Sequence, residues 1–346
     1  MVKGNKNTPE LGSQALIKDI AEGDSIRGYY LVKEKRMGTT RNGKAFMGLM
    51  LSDQSGNAEA KVWDRVEEYS PVFNEGDIIY IEGETESFRN QIQIRINGLG
   101  PCKEDIDPTI FLEKSPFNSS EMMASLKQIL NKVENVHLKG IIDKFLTDKE
   151  FVGQFSLVPA AKNFHHSYIA GLLEHTLSVC RMSVEVSVLY PRLDRDILIT
   201  SAFLHDIGKI KELSYEVKID YTDEGRLLGH LVLGANMLEE KIQMIKNFPR
   251  ELSIRLKHII ISHHGQYEFG SPKRPKFLEA MALHMIDDFD AKINGLCLFM
   301  DKDRNESSWT DFNRLFGQYF LKGDIPSQDI NQNKETREDT IQGSLF

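Results

Sequence analysis

The feature that most constrains this chain is a change of hydrophobic period across residues 101–120. Upstream, apolar residues recur at every second position in short runs separated by turn signals; downstream, they recur at helical spacing as far as about residue 321. The dividing stretch holds Pro101, Pro108, Pro116 and the pair Ser119-Ser120 with no periodic run, so 106–120 reads as a linker. A chain of 346 residues has room for the two domains this implies, with short arms at 1–20 and 323–346.

In the first half, candidate strands fall at 26–33, 45–52, 58–63, 78–83 and 91–96. The turn-prone tetrads Arg41-Asn42-Gly43-Lys44, Gln54-Ser55-Gly56-Asn57 and Asn74-Glu75-Gly76-Asp77 separate them. A helix-like stretch at 65–69 lies between the third and fourth, so the pattern predicts a five-stranded OB barrel over 21–105. The segment 33–44 is the one basic concentration there, with Lys33, Lys35, Arg36, Arg41 and Lys44. It is expected as a loop between the first two strands, where such barrels grip single strands, with Phe46, Trp63 and Phe88 as stacking faces. The competing expectations are a solvated basic hairpin and, for each aromatic, a place in the core.

The formal net charge of −8 excludes a protein that coats nucleic acid over its whole surface, so any contact must be local. Cys102, Cys180 and Cys297 are scattered without CxxC spacing, which excludes a zinc ribbon or disulfide framework and fits a reducing compartment. No apolar run approaches the ~18 residues of a membrane span, and the polar first ten residues hold no signal-peptide core. These features predict a cytoplasmic protein. The polar tail is expected to be disordered. Its end, Gln342-Gly343-Ser344-Leu345-Phe346, is loosely similar to the Gln-x-x-Leu-Phe peptides that bind the bacterial sliding clamp, with Gly343 where those favour leucine.

The second half, 121–322, reads as all-helical. Helices are expected at 172–190, at 197–207 behind an Asp194 cap, and at 231–247, 253–262, 276–294 and 311–320, with a non-helical excursion at 215–228. Nine of the ten histidines lie between 165 and 284, a stretch that also holds Asp206 and Asp287. Imidazole and carboxylate suit Mn²⁺, Fe²⁺ and similar ions, and two such ions ~3.5–4 Å apart can activate water and clamp a phosphoryl displacement. His205 and Asp206 are adjacent, so a regular helix cannot aim both at one ion symmetrically; they can share an ion lying over a helix end. Lys209 follows as a phosphate contact or a helix-end cation. His137, His258 and His284 are expected to be ordinary surface or core histidines.

The chain resembles the HD superfamily of metal-dependent phosphohydrolases, most closely the YhaM-type 3′–5′ exoribonucleases, which join an OB domain to an HD domain. The residues that carry the likeness are Gly171-Leu172-Leu173-Glu174-His175-Thr176, Leu204-His205-Asp206-Ile207-Gly208-Lys209 and Gly225-Arg226-Leu227-Leu228-Gly229-His230. Ser262-His263-His264-Gly265, Glu268-Phe269-Gly270-Ser271-Pro272, His284-Met285-Ile286-Asp287-Asp288 and Asp290-Ala291-Lys292 complete it. The resemblance implies a core metal site of His175, His205, Asp206 and Asp287. It also implies a second ion on His230 with His263 or His264, and His165-His166 lining the site. It further implies two divalent ions, Mn first with Fe, Co or Mg as alternatives, and hydrolysis of single-stranded RNA, with single-stranded DNA as a second substrate, to 5′-mononucleotides. Asp206 and Lys209 would act in catalysis. The rival expectations are an HD phosphohydrolase of free or cyclic nucleotides and a non-catalytic single-strand-binding protein.

Overall fold

The computed structural model describes residues 14–323 except 41, 89–90, 105, 163–165, 217 and 304–306. Arg41, His165 and the peptide at 342–346 lie outside the described residues. The chain divides into two compact units at Gly295/Leu296.

The first unit begins with β1 (Ser25–Thr39), β2 (Ala45–Asp53), β3 (Gly56–Val62), β4 (Ile78–Phe88) and β5 (Gln91–Pro101). They close in the order β1-β2-β3-β5-β4, with β3 and β5 parallel and the other pairs antiparallel. Strict alternation builds the interior: Met47, Leu49 and Leu51 of β2 point inward beside Tyr30, Ile79, Ile81 and Ile94. The short helix α1 (Val66–Tyr69) sits between β3 and β4 and buries Val66 and Tyr69 in the same core. This is the expected OB barrel.

One expectation about it fails. The basic stretch is largely strand: β1 pairs with β2 as far as Thr39↔Ala45, through a bulge between Val32 and Glu34, leaving only the turn at 40–44 as loop. Hydropathy marks 33–39 as loop because the side chains are polar. The ladder, however, is made by main-chain groups, and β2 supplies the apolar face opposite.

The helical part contains α2 (Ser119–Leu130), α3 (Val136–Leu146), α4 (Lys149–Phe155), α5 (Gly171–Leu189), α6 (Arg195–Leu204), α7 (Lys209–Glu212), α8 (Asp223–Gln243), α9 (Arg250–Ser262) and α10 (Leu278–Lys302). Asn118, Asn135, Asp148, Asp194 and Thr222 each accept a first-turn backbone N–H, caps of about 1 kcal/mol apiece. Phe145, Phe151, Phe155 and Phe203 form the centre of the core. The expected excursion at 215–228 is half right. A two-residue hairpin ladder, β6 (Leu213–Ser214) with β7 (Asp220–Tyr221), is followed by helix from Asp223, because Thr222 caps a run that was expected to be non-helical.

The linker is packed rather than loose. Phe111 and Leu112 bury against Leu31 and Ile78 of the barrel and Ile169 of the helical part. Ser52 Oγ of β2 donates to the Phe111 carbonyl at 2.8 Å.

In the second unit, the helix expected at 311–320 is absent. Thr310 N–H donates to the Phe320 carbonyl at 2.8 Å, and Asn313 Oδ1 accepts from Leu315 and Phe316 N–H. Side-chain capture of local donors has displaced the helical ladder.

Candidate metal centre and nucleic-acid surface

The metal candidates gather at helix ends. α6 stops at Leu204, three residues earlier than the periodicity predicts, so His205 and Asp206 occupy a turn before α7, closed by the Lys209 N–H to the Asp206 carbonyl at 3.0 Å. That turn packs directly on α8: a Cβ on Gly208 would lie 2.0 Å from the His230 carbonyl oxygen, so only glycine allows the approach. α8 itself bends at Gly229, whose φ of 70° is left-handed, and the bend delivers His230. α9 ends at Ser262, which leaves His263 and His264 outside the regular ladder. His175 comes from inside α5 and Asp287 from inside α10.

Two groups result. The ligand atoms of His175, His205 and Asp287 lie within 4.8 Å of one another, and so do those of His230, His263 and His264. Asp206 stands between them. Its Oδ2 lies 3.5 Å from His175 Nε2 and 3.4 Å from His205 Nε2, while Oδ1 lies 3.6 Å from His230 Nε2 and 3.5 Å from His263 Nε2. Both members of the His263-His264 pair face the centre, an outcome adjacency alone left open. Lys209 Nζ is 2.6 Å from Asp206 Oδ2 and buried with it.

The hydrogen bonds show that cations fit here. His205, His263 and His264 each direct Nδ1 at a backbone carbonyl, of Ala202, Ile260 and Phe269, at 2.8, 2.8 and 2.9 Å. A carbonyl only accepts, so the proton belongs on Nδ1 and Nε2 carries a lone pair. His230 directs Nδ1 at Glu212 (2.9 Å) and His175 at Asp290 (2.7 Å), leaving their Nε2 atoms facing the centre too. His230 and His264 Nε2 approach to 3.0 Å, and His175 and His205 Nε2 to 3.1 Å. Nitrogens so close together need positive charge between or beside them, whether a proton or a bound cation. Asp206 Oδ1 is buried and accepts no hydrogen bond among the described residues, a second mark of a cation partner.

Charge points the same way. Burial would raise the pKa of Asp206 and Asp287, but Lys209 and His205 hold Asp206 well below the usual carboxylate range, and His175 and His205 do so for Asp287. Burial would lower His175, yet Asp287 and Asp290 outweigh it and push the imidazole up to about 9, so this half of the centre attracts positive charge. His264 is pushed down to about 3 by burial and by His263 and His230, which keeps it neutral and able to ligate.

His166 is buried against His175, at 5.5 Å between ring centroids. His137, His258 and His284 stay out of both groups: His284 Nδ1 contacts the His263 carbonyl at 2.7 Å, His258 accepts from Lys276 N–H, and His137 packs edge-on to Phe248. Glu212 was missed from sequence, and Asp290 stood in a motif without being read as a site residue. Each lies three residues beyond a site residue, Lys209 and Asp287, and i,i+3 spacing on one helical face was the available signal.

On the barrel, Phe46 and Trp63 are a half-buried pair 5.2 Å apart, outside the core, with Lys61 Nζ 5.6 Å from the Phe46 ring centroid. Phe88 is exposed at the end of β4. Lys44 pairs with Asp64 and Arg36 with Glu34, both in solvent. Lys33 lies on β1. Lys35 is a correction: its Nζ donates to the Ser70 and Phe73 carbonyls at 2.6 Å each and lies over the Phe73 ring, so it is spent on closing the barrel's end.

A closed OB barrel joined to helices that converge histidines and aspartates on one centre defines a metal-dependent phosphohydrolase with a nucleic-acid-binding module. The HD domain family matches residues 172–292, and an OB-fold nucleic acid binding domain family matches 31–101. The 3′-5′ exoribonuclease YhaM of Bacillus subtilis (strain 168) is 38% identical over 274 residues, covering 79% of this chain and 86% of its own. YhaM of Listeria welshimeri is 36% identical over 304 residues, covering 86% and 94%. Among solved structures, the second OB-fold domain of replication protein A from Methanococcus maripaludis aligns with 27% of this chain and 97% of its own at 16% identity and TM-score 0.22. The chain belongs to the YhaM 3′–5′ exoribonuclease family.

Proposed function

We propose that this chain is a two-metal 3′–5′ exonuclease that shortens single-stranded RNA, and secondarily single-stranded DNA, to 5′-mononucleotides. The observation that carries the reading is the convergence of five imidazole Nε2 atoms and two ionised aspartates on one buried centre. His175, His205 and Asp287 would hold one ion and His230, His263 and His264 the other, with Asp206 shared between them. Bound there, Mn²⁺, or Fe, Co or Mg in its place, would acidify water and draw charge from the phosphoryl oxygens.

The chain's own residues supply the rest. Asp206 keeps the two halves in register through its two oxygens. Asp206 also outweighs burial and raises the proton affinity of Lys209, so a fixed ammonium stands beside the anionic centre where a phosphate would be drawn. Phe269, whose carbonyl anchors His264, is 65% exposed, and Tyr267 is 59% exposed, so the 3′-terminal base would have aromatic surface beside the scissile bond. Phe46, Trp63 and Phe88, with Lys33, Arg36, Lys44 and Lys61, would hold the strand farther from its end. No helix among the described residues is long and apolar enough to cross a membrane, and the three unpaired cysteines suit the cytoplasm.

Incubation with 5′-labelled single-stranded RNA and Mn²⁺ tests this. The expected product is a ladder shortening from the 3′ end with release of 5′-mononucleotides. Hydrolysis confined to free or cyclic nucleotides, or binding without hydrolysis, overturns it. RNA ending in a 3′-abasic residue should be trimmed more slowly at its first step, and Phe269→Ala should erase that difference.

A further inference from the structure

Every histidine at the centre has its far nitrogen tied, those of His175 and His230 to carboxylates on other helices, and the tie on His175 leads on into a longer series of bonds. His205, His263 and His264 lean on carbonyls of their own or a neighbouring turn, a local arrangement. His175 Nδ1 instead lies 2.7 Å from Asp290 Oδ2, on another helix 115 residues away. The same oxygen is 3.0 Å from His166 Nε2. His166 Nδ1 is 3.0 Å from Tyr168 Oη, Tyr168 Oη donates to Glu174 Oε1 at 3.0 Å, and Glu174 Oε2 accepts from Ser115 Oγ at 2.6 Å. Ser115 belongs to the connection between barrel and helices, where its N–H donates to the Ile169 carbonyl at 2.9 Å. Phe111 and Leu112, a few residues before it, are buried against the barrel's Leu31 and Ile78.

The backbone is bent to make this chain of bonds. His166 is buried at φ 45°, a left-handed conformation costly for a residue with a side chain, and its N–H is held by Asn294 Oδ1 at 2.9 Å. Gly171 approaches so near that a Cβ there would lie 1.9 Å from the His166 carbonyl oxygen. A strained, buried histidine fixed from several sides is one whose orientation matters.

We infer that Asp290 is a positioning residue for the metal centre, and that His166, Tyr168 and Glu174 carry its placement back to Ser115, so that the connection from the barrel helps orient His175. A carboxylate accepting from a ligand histidine fixes its tautomer and raises its basicity, and losing such a partner commonly costs ~10–100-fold in metal affinity. Ser115 thereby gives the strand-holding part of the molecule a physical path to the first metal ligand. The inference rests on the metal-centre reading of the preceding subsection and not on the identity of the substrate. His166, His175 and Asp290 are also near enough to one another to hold an ion among themselves. His175 would then have to ligate through both ring nitrogens, so the hydrogen-bonded arrangement is favoured.

Calorimetric titration of Mn²⁺ into metal-free full-length protein decides, with no RNA present. Asp290→Asn should weaken binding by ~10–100-fold without changing the number of ions bound, while the melting temperature of the metal-free protein stays near that of the parent. Tyr168→Phe and Ser115→Ala should weaken it by progressively smaller factors. Unchanged affinity in Asp290→Asn overturns the inference, and so does loss of one whole ion per chain, which would mark a separate metal site. If Asp290→Asn does not fold, unchanged affinity in both Tyr168→Phe and Ser115→Ala overturns it. Because metal affinity is read directly, failure of the exonuclease assay leaves this test standing.

Discussion

The metal centre and the barrel surface solve opposite problems with polar side chains. At the centre, His175, His205, His263 and Asp206 are buried, and each imidazole is tied at Nδ1 before any ligand arrives. On the barrel, Arg36 and Lys44 meet only solvent-exposed acids, and Phe46 and Trp63 lean on each other at the surface. Exposed pairs of that kind contribute ~0–1 kcal/mol and can be exchanged for a phosphate at little cost. Cleaving a phosphodiester demands groups fixed in advance, because any reorganisation adds to the barrier. Sliding along a strand demands groups that let go. One chain therefore carries a rigid polar cluster and a loose one, and the packed connection at Phe111 and Leu112 joins them.

The sharpest way to break the contrast is Asp206→Asn. Turnover should fall to background while RNA affinity, read by fluorescence anisotropy, stays at the parent level; retained turnover would move the chemistry elsewhere. Asn is the better choice than Ala: both remove the carboxylate charge beside the buried Lys209 ammonium, but the amide oxygen keeps a hydrogen-bond acceptor and the side-chain volume in place. Next comes the barrel. Phe46→Ala with Trp63→Ala should weaken long-strand binding by about 5- to 150-fold, the cost of one lost base stack at ~1–3 kcal/mol, and leave cleavage of a short chromogenic phosphodiester unchanged. Loss of both activities would mean the two regions are not separable. Point changes suit this question better than deleting the barrel, since deletion would bare Phe111, Leu112 and Ile169.

The smallest effect calibrates the other two. Asp148 caps α4 and pairs with Lys241 at 2.6 Å, away from both regions, and the Lys241 hydrogen bond leads the contacts that hold its carboxyl below the usual range. Asp148→Ala should lower stability by about 1 kcal/mol at neutral pH and leave turnover untouched. A carboxylate with a depressed folded-state pKa stabilises above its unfolded value near 3.9, and that stabilisation is lost as pH falls through the folded value. The gap between parent and variant in chemical denaturation should therefore close in acid. A gap that persists would assign the cost to packing instead of the cap and ion pair.

How much was legible in advance differs between the regions for a physical reason. Local pattern was enough for β2, whose Met47, Leu49 and Leu51 alternate inward as the period predicts, and for α6, which starts at its Asp194 cap. It was not enough for β1, where a polar run becomes strand because β2 offers a ladder, nor for 311–320, where Thr310 and Asn313 redirect the local hydrogen bonds. At the centre, motif likeness singled out His175, His205, Asp206, His230, His263, His264 and Asp287. It did not supply Glu212, and it gave Asp290 as part of a motif without a role; the importance of both lies in what they touch.

The order of residues determined by itself the succession of barrel and helical part, the barrel class, and the set of nitrogens and carboxylates available for a metal, because periodicity and chemical type are properties of single positions and their neighbours. Only the tertiary structure decided that Lys35 closes the barrel's end, that Asp206 faces both groups, and that Ser115 reaches the hydrogen bonds around His175. Those are relations between residues far apart in the chain, set by how helix ends and strands pack, and no local pattern records them.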